Sequence, residues 1–301
     1  MGATTSFAWG DLGHQAIARL AWTTLGEKQG TLKQLLENLP RTDTPIDSFI
    51  APYPFDPAPK AAIGVPNLFS ATIEDAAVWP DKVRSTWLDR PSWHYVNHPI
   101  AMDGIVPPPL PEVNVETAIV RLVKLASDKS LAPTTRAACV AWLCHLVGDL
   151  HQPLHAVAWY DKDHPKGDRG GNDFFPKENS PLHDKSQAPI NLHSYWDSGA
   201  RLSDYGVDSI IDMSKTYDEK TPDFGMGEIE AQVKLWGEES ERIARGYVYR
   251  TAGPNSHILS TNESRWYKGQ KEYKDLAQKQ CLMRFRKAGA RLGRILALVL
   301  K

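Results

Sequence analysis

Residues 134–155 read TTRAACVAWLCHLVGDLHQPLH, and this stretch decides the fold. From Ala137 to Leu150 apolar side chains fall on nearly every side of a helix. That is the pattern of a central helix packed all round by other elements. Within it, His145 and Asp149 stand four residues apart. At about 3.6 residues per turn they share one face. Pro153 ends the helix, and His155 comes back from the turn. Imidazole and carboxylate are costly in apolar surroundings unless paired or metal-bound. Both are zinc ligands, although the pair taken alone also reads as a buried His–Asp hydrogen bond.

Outward from this helix, a 3.6-residue hydrophobic period predicts further helices over 11–24, 27–39, 112–128, 226–246 and 269–300, with the central one over 133–150. No segment alternates convincingly enough to be a strand, so the expected class is all-α. Two stretches rich in Pro, Gly and Asp, 40–70 and 157–190, read as long loops. Nothing resembles a linker between separate cores, so residues 9–301 are expected to form a single mainly helical domain.

The formal net charge of -1 argues against a broad basic surface for gripping duplex DNA. It leaves open a site whose positive charge comes from bound metal. The three cysteines, Cys139, Cys144 and Cys281, form no CxxC pair and allow at most one disulfide. Cys139 and Cys144 lie off the His145 face and are expected in the core. There is no run of 18 apolar residues, so no membrane span is expected. Ser6-Phe7-Ala8 places small residues at the -3 and -1 positions of a cleavage site before Trp9. Residues 1–8 therefore read as the tail of a signal peptide plus an engineered start.

Other His and Asp residues repeat the chemistry of the central helix. His193 and Asp197 in NLHSYWD are again four apart. Asp81 lies in WPDKVR, His94 in SWHYVN, and His14 follows Trp9 in WGDLGH. Each is weak alone: a surface i,i+4 pair, a helix-start Asp, a packed His or an ordinary polar helix residue would explain it. Together they are enough for more than one metal.

The ordered set WG-x-LGH, W-x-D-x-x-R, WHYVN, H-x-x-x-D-x-HQPLH, GGN and NLH-x-x-WD resembles the zinc-dependent single-strand nuclease and 3'-nucleotidase family of the S-one/P-one type. More distantly it is similar to the bacterial zinc phospholipases C of the same helical fold. The resemblance implies three zinc ions. Asp81, His94, His145 and Asp149 would hold the first; His155, His193 and Asp197 the second. Trp9, through its free amine and carbonyl, would hold the third with His14 and a shared Asp149. Arg84 matches the family's transition-state arginine, and Tyr95 its base-stacking ring. Asn97 stands where fungal members carry a base-reading Asp, and Asn172 lies in the GGN turn with Gly171. His98, His151, His164, His183 and His257 match no ligand position.

The implied activity is zinc-assisted, in-line hydrolysis of single-stranded DNA and RNA to 5'-phosphorylated products, with 3'-nucleotidase activity. Single-stranded nucleic acid and nucleotides are then the substrates, and the enzyme is expected to be monomeric. Cleavage after Ala8 would make it secreted or periplasmic. A phospholipase C using the same metals, or a helical protein with structural zinc, are the rival readings. The WHYVN aromatic favours the nuclease. Structural zinc takes four protein ligands, whereas two of these sites would offer only three ligating residues.

Overall fold

The computed structural model describes residues 9–40, 71–84, 86, 88–174, 191–217, 222–250 and 270–301. The proposed signal remnant and, apart from Pro40, the expected loop over 40–70 lie outside them, as do His183 and His257. Ten α-helices and two short strands make up the described part: α1 (Asp11–Trp22), α2 (Lys28–Leu36), α3 (Ile73–Lys82), β1 (His98–Ala101), α4 (Val115–Ser127), α5 (Pro133–His151), α6 (Pro153–Ala156), β2 (Val157–Tyr160), α7 (Leu192–Asp197), α8 (Val207–Ser214), α9 (Ile229–Ile243) and α10 (Gln270–Val299). The class is all-α.

Helix α5 is the axis of the molecule. Pro133 opens it, at a position where the missing amide proton costs nothing. From Ala137 onward every residue of it is buried. Helices α3, α4 and α10 pack around it, and α1 packs on α3 and α10. Trp142 meets the ring edges of Trp79 and Trp93 at 6.4 and 5.0 Å. Each such pair adds about 0.5–1.5 kcal/mol beyond the burial itself. Cys139, Cys144 and Cys281 are buried free thiols, and no disulfide forms among them.

Four expectations need correction. The pair β1 and β2 is a parallel sheet, with His98 opposite Val157 and Ala101 opposite Tyr160. Four-residue strands are too short to show a period. Second, 157–190 is not a single loop: it begins with β2, and 161–174 is a series of turns tied back to it, as in Asp168 N to Trp159 O at 2.9 Å. Third, 226–246 is a 3₁₀ turn, then α9, then a π turn over Ala244–Val248. Fourth, Pro153 does not simply end α5; the backbone breaks at Gln152 and Pro153 starts the one-turn helix α6. Helices α3, α7 and α8 escaped the periodicity reading: α7 and α8 are only 6 and 8 residues long, and α3 carries Pro80 inside it.

The small sheet has a positioning role. Pairing β1 with β2 sets the chain before β1 beside the chain before β2. Val96 N bonds His155 O at 3.0 Å, and so His94 comes to lie against His155. The ends of α3, α5 and α7 and the start of α1 converge on the same place.

Candidate metal centre

Each converging side chain has a local reason for its place. Thr72 caps α3 through Asp75 N, and Asp81 stands in the last turn of that helix, just after Pro80. A 3₁₀ turn, Pro91–His94, delivers His94. Asn191 caps α7 through Ser194 N at 2.7 Å, setting His193 and Asp197 four apart on one face. His14 reaches α5 because residue 148 is glycine: a Cβ there would stand 2.8 Å from His14 Nδ1.

Three groups of His and Asp result, all buried: His14, His145 and Asp149; Asp81, His94 and His145; His155, His193 and Asp197. In each group one ligand-capable atom per residue lies within 4.8 Å of the others. His145 Nε2 is 3.3 Å from Asp149 Oδ2, 3.8 Å from Asp81 Oδ1 and 3.2 Å from His94 Nδ1. His193 Nε2 is 3.2 Å from His155 Nε2 and 3.4 Å from Asp197 Oδ2.

The hydrogen bonds behind the rings fix what these atoms are. A carbonyl oxygen can only accept, so Nδ1 is the donor in three rings. His145 donates to Ala77 O at 2.8 Å, His155 to His94 O at 2.6 Å and His193 to Gly170 O at 2.6 Å. In the neutral ring each Nε2 is then a bare lone pair. Lone pairs of His155 and His193 face each other at 3.2 Å beside a carboxylate. Only a cation or a captured proton reconciles them. An Nδ1–H held by a backbone carbonyl is how metal-bound histidines are oriented.

Orphaned atoms give the same answer. His14 Nδ1 and Nε2, His94 Nε2 and Asp149 Oδ1 are buried with no hydrogen-bond partner. His14 Nε2 faces Asp149 Oδ1 at 3.3 Å without hydrogen-bond geometry. Buried polar atoms are rarely left so, and the donor set of neutral imidazole and carboxylate suits zinc. The residues fit a metal.

The electrostatics are those of a strained, coupled cluster. Burial and the neighbouring His145 push His14 below the ordinary histidine value. Burial also lowers His94 and His193. Burial opposes charge on His155 too, but the Asp149 and Asp197 carboxylates outweigh it and carry the pKa up to about 9. Burial would raise Asp149, yet His145 and His14 hold it well below the usual carboxylate range.

The remaining candidates lie on the segments that carry these groups or next to them in sequence. Arg84 forks onto Asp81 Oδ1, with Nε at 2.8 Å and Nη2 at 2.7 Å. Tyr95, next to His94, is 41% exposed, which leaves its ring open to a ligand. Asn97 adopts a left-handed backbone at φ 64°. Asn172 donates to Arg169 O and meets Asn191 at 3.4 Å. The Trp9 indole donates to Gly148 O at 2.8 Å, one residue before Asp149, and Gly10 N bonds Asp197 O at 2.8 Å.

Comparison with known families now decides the affiliation: the S1/P1 Nuclease family matches residues 9–301. The chain belongs to the S1/P1 nuclease family. It is a nuclease, an enzyme that hydrolyses phosphodiester bonds, and nucleic acid is its substrate. Among curated proteins none matches the chain. Among the described residues no helix is long and apolar enough to cross a membrane.

Two features of this nuclease centre were not singled out from sequence. Gln152 Nε2 donates to Asp197 Oδ1 at 2.7 Å while its Oε1 accepts from Leu154 N at 2.6 Å, so it aims the carboxylate. Gln152 lies inside the quoted HQPLH motif, where His155 reads as a ligand and Pro153 as the end of the helix. Asp168, two residues before Gly170, anchors the turn beneath His193. Its only sequence signal is its place before the double glycine.

Proposed function

We propose that this S1/P1 nuclease is a zinc-dependent endonuclease for single-stranded DNA and RNA, with 5'-phosphorylated products and 3'-nucleotidase activity. The observation that carries the reading is the set of bare Nε2 atoms and carboxylate oxygens converging in three buried groups. Asp81, His94, His145 and Asp149 would hold one zinc. His155, His193 and Asp197 would hold a second. Trp9, His14 and the shared Asp149 would hold a third. Bound zinc supplies Lewis acidity, making water nucleophilic near neutral pH and easing departure of the 3'-oxygen.

The chain's own residues do the rest. Asp149, fully buried, lies 3.3 Å from His14 Nε2 through one oxygen and 2.9 Å from His94 Nδ1 through the other, so it would stand between the first and third zinc ions, while His145 belongs to both of those groups. Arg84, one-quarter exposed beside Asp81, offers charge-assisted hydrogen bonds to phosphate oxygens. Tyr95 offers an open ring to a base. A base stacked there has left any duplex, and one such stack contributes about 1–3 kcal/mol. Asn97 and Asn172 are the further residues proposed to meet the substrate.

The proposed unit is a single domain over 9–301, monomeric and secreted or periplasmic after cleavage following Ala8. The Trp9 nitrogen must be an amine to ligate zinc, because an amide lone pair is delocalised into its carbonyl. The test is one assay of zinc-loaded protein beginning at Trp9 and at Met1, on single-stranded DNA, RNA, duplex DNA and phosphatidylcholine. The Trp9 form should cut single strands, and Tyr95→Ala should weaken that preference. Hydrolysis of phosphatidylcholine alone would refute the nuclease specificity. Equal activity and zinc content of the two forms would refute the Trp9 ligand and the export argument built on it.

A further inference from the structure

Asp168 is fully buried, and no Lys or Arg pairs with it among the described residues. Its carboxylate is met instead by three neutral donors. Trp159 N reaches Oδ1 at 2.9 Å; Gly171 N at 2.9 Å and the Tyr249 hydroxyl at 2.5 Å reach Oδ2. Burial pushes its pKa up, against those hydrogen bonds. A buried carboxylate without a cation is expensive, so its retention calls for a reason.

The turn it holds is itself strained. Arg169, Gly170 and Gly171 take φ of 56°, 63° and 82° in succession. A Cβ on Gly170 would come within 2.4 Å of Leu154 O, so the approach requires glycine. What this close approach delivers is Gly170 O, 2.6 Å from His193 Nδ1. The same turn also receives His193 N on Gly171 O at 3.2 Å.

The carbonyl of Gly170 and the amide proton of Gly171 belong to one peptide group. Asp168 therefore pulls on the N–H end of the peptide whose oxygen holds the His193 ring. Hydrogen bonds in series polarise one another. Negative charge at the N–H end increases electron density on the oxygen and strengthens its hold on Nδ1–H. Metal-bound histidines are commonly backed by a carboxylate directly.

We infer that Asp168 is a positioning residue for the metal centre: it acts through the Gly170–Gly171 peptide as a carboxylate–peptide–histidine relay that orients His193 and makes its Nε2 a stronger ligand. Tyr249, just after the π turn that follows α9, anchors the carboxylate. Its ring is buried between Trp159 and Phe174, at 5.1 and 6.1 Å. The relay rests on the metal reading of His155, His193 and Asp197, and concerns that group alone.

The test is zinc affinity by competition with a chromophoric chelator, alongside melting of the metal-free protein, for wild type, Asp168→Asn and Tyr249→Phe. In Asp168→Asn the negative charge is lost and the single amide oxygen can accept from only one of Trp159 N and Gly171 N, which weakens the relay. One zinc should then bind about 10–100-fold more weakly while the others keep wild-type affinity. Tyr249→Phe leaves the carboxylate–peptide link intact, so it should melt earlier yet bind zinc no more weakly than wild type. Unchanged affinity at every site in Asp168→Asn, or loss in both variants in step with melting, overturns the relay. Wild type that binds no zinc overturns the metal reading as well, so the two failures differ. Should Asp168→Asn not fold, the His193 Nδ1 proton in zinc-loaded Tyr249→Phe decides. With one donor fewer, charge concentrates on the peptide, and that resonance should move downfield while His145 stays put. No movement overturns the relay.

Discussion

Two clusters of histidine and carboxylate flank the end of α5, and they differ in what meets their lone pairs. On one side lie the three His/Asp groups. On the other, His151 Nδ1 donates to Val147 O at 2.7 Å and its Nε2 accepts from Arg291 Nη1 at 2.8 Å. Arg291 grips Glu239 with both nitrogens, at 2.7 and 2.8 Å. Arg284 joins Glu239 at 3.0 Å, Ser240 at 2.7 Å and His151 O at 3.0 Å. No buried atom of this second cluster lacks a partner, whereas four atoms of the first do. The closed cluster ties α9 and α10 to α5. The open one has lone pairs aimed at each other. Both sides hold histidine and carboxylate, but the closed side brings its own cations, Arg284 and Arg291, and the open side has none within its three groups.

The sharpest way to break that contrast is Asp149→Ala. It should disturb two metals at once and lower activity by more than about 10³-fold, the scale of several kcal/mol of lost Lewis-acid assistance. Activity and zinc content near wild type would mean the open cluster is only another structural network.

The closed cluster should respond in the opposite currency. Glu239→Ala removes the carboxylate that both buried guanidinium groups share and should cost about 3–5 kcal/mol in denaturant unfolding. The protein that remains folded should keep its zinc. Loss of zinc at unchanged stability would reverse the assignment of the two sides.

A smaller effect sharpens the comparison by pH. Burial first, then Arg284 and Arg291, hold His151 well below its ordinary 6.5. The unfolded chain takes a proton there below 6.5 and the native chain does not, so His151 destabilises the fold progressively as pH falls through that value. Burial opposes charge on Glu239, but the two arginines outweigh it and bring its pKa down to about 2 from 4.5. Its contribution is therefore present above 4.5 and lost as pH falls toward about 2, outside the histidine window. The stability difference between wild type and His151→Gln should shrink between pH 7 and 5, at most about 1.4 kcal/mol per unit. A difference independent of pH would show that His151 protonates inside the fold.

How far the sequence could be read follows from the same contrast. His145 and Asp149 were legible because a long apolar helix makes an i,i+4 polar pair conspicuous. His193 and Asp197 carried the same spacing, but on a six-residue helix whose period cannot be seen. Asp81, His94 and His14 became ligand candidates only through ordered motifs, since a 3₁₀ turn and the end of a short helix leave no pattern. Gln152 acts on Asp197, far off in sequence, and Asp168 acts on the equally remote His193 through the neighbouring Gly170–Gly171 peptide. The closed cluster was wholly hidden, because Glu239, Arg284 and Arg291 read as solvated charges until α9 and α10 pack. The strands failed to show because each is four residues long and fully determined by its neighbour.

Anomalous diffraction at the zinc edge, from crystals of zinc-loaded protein beginning at Trp9, tests the central claim most directly. Three peaks should appear, one in each His/Asp group, about 2.0–2.2 Å from the imidazole nitrogens and carboxylate oxygens. None should appear beside His151, Glu239 or Arg291. A single peak in fully active protein, or a peak in the closed cluster, would contradict the account.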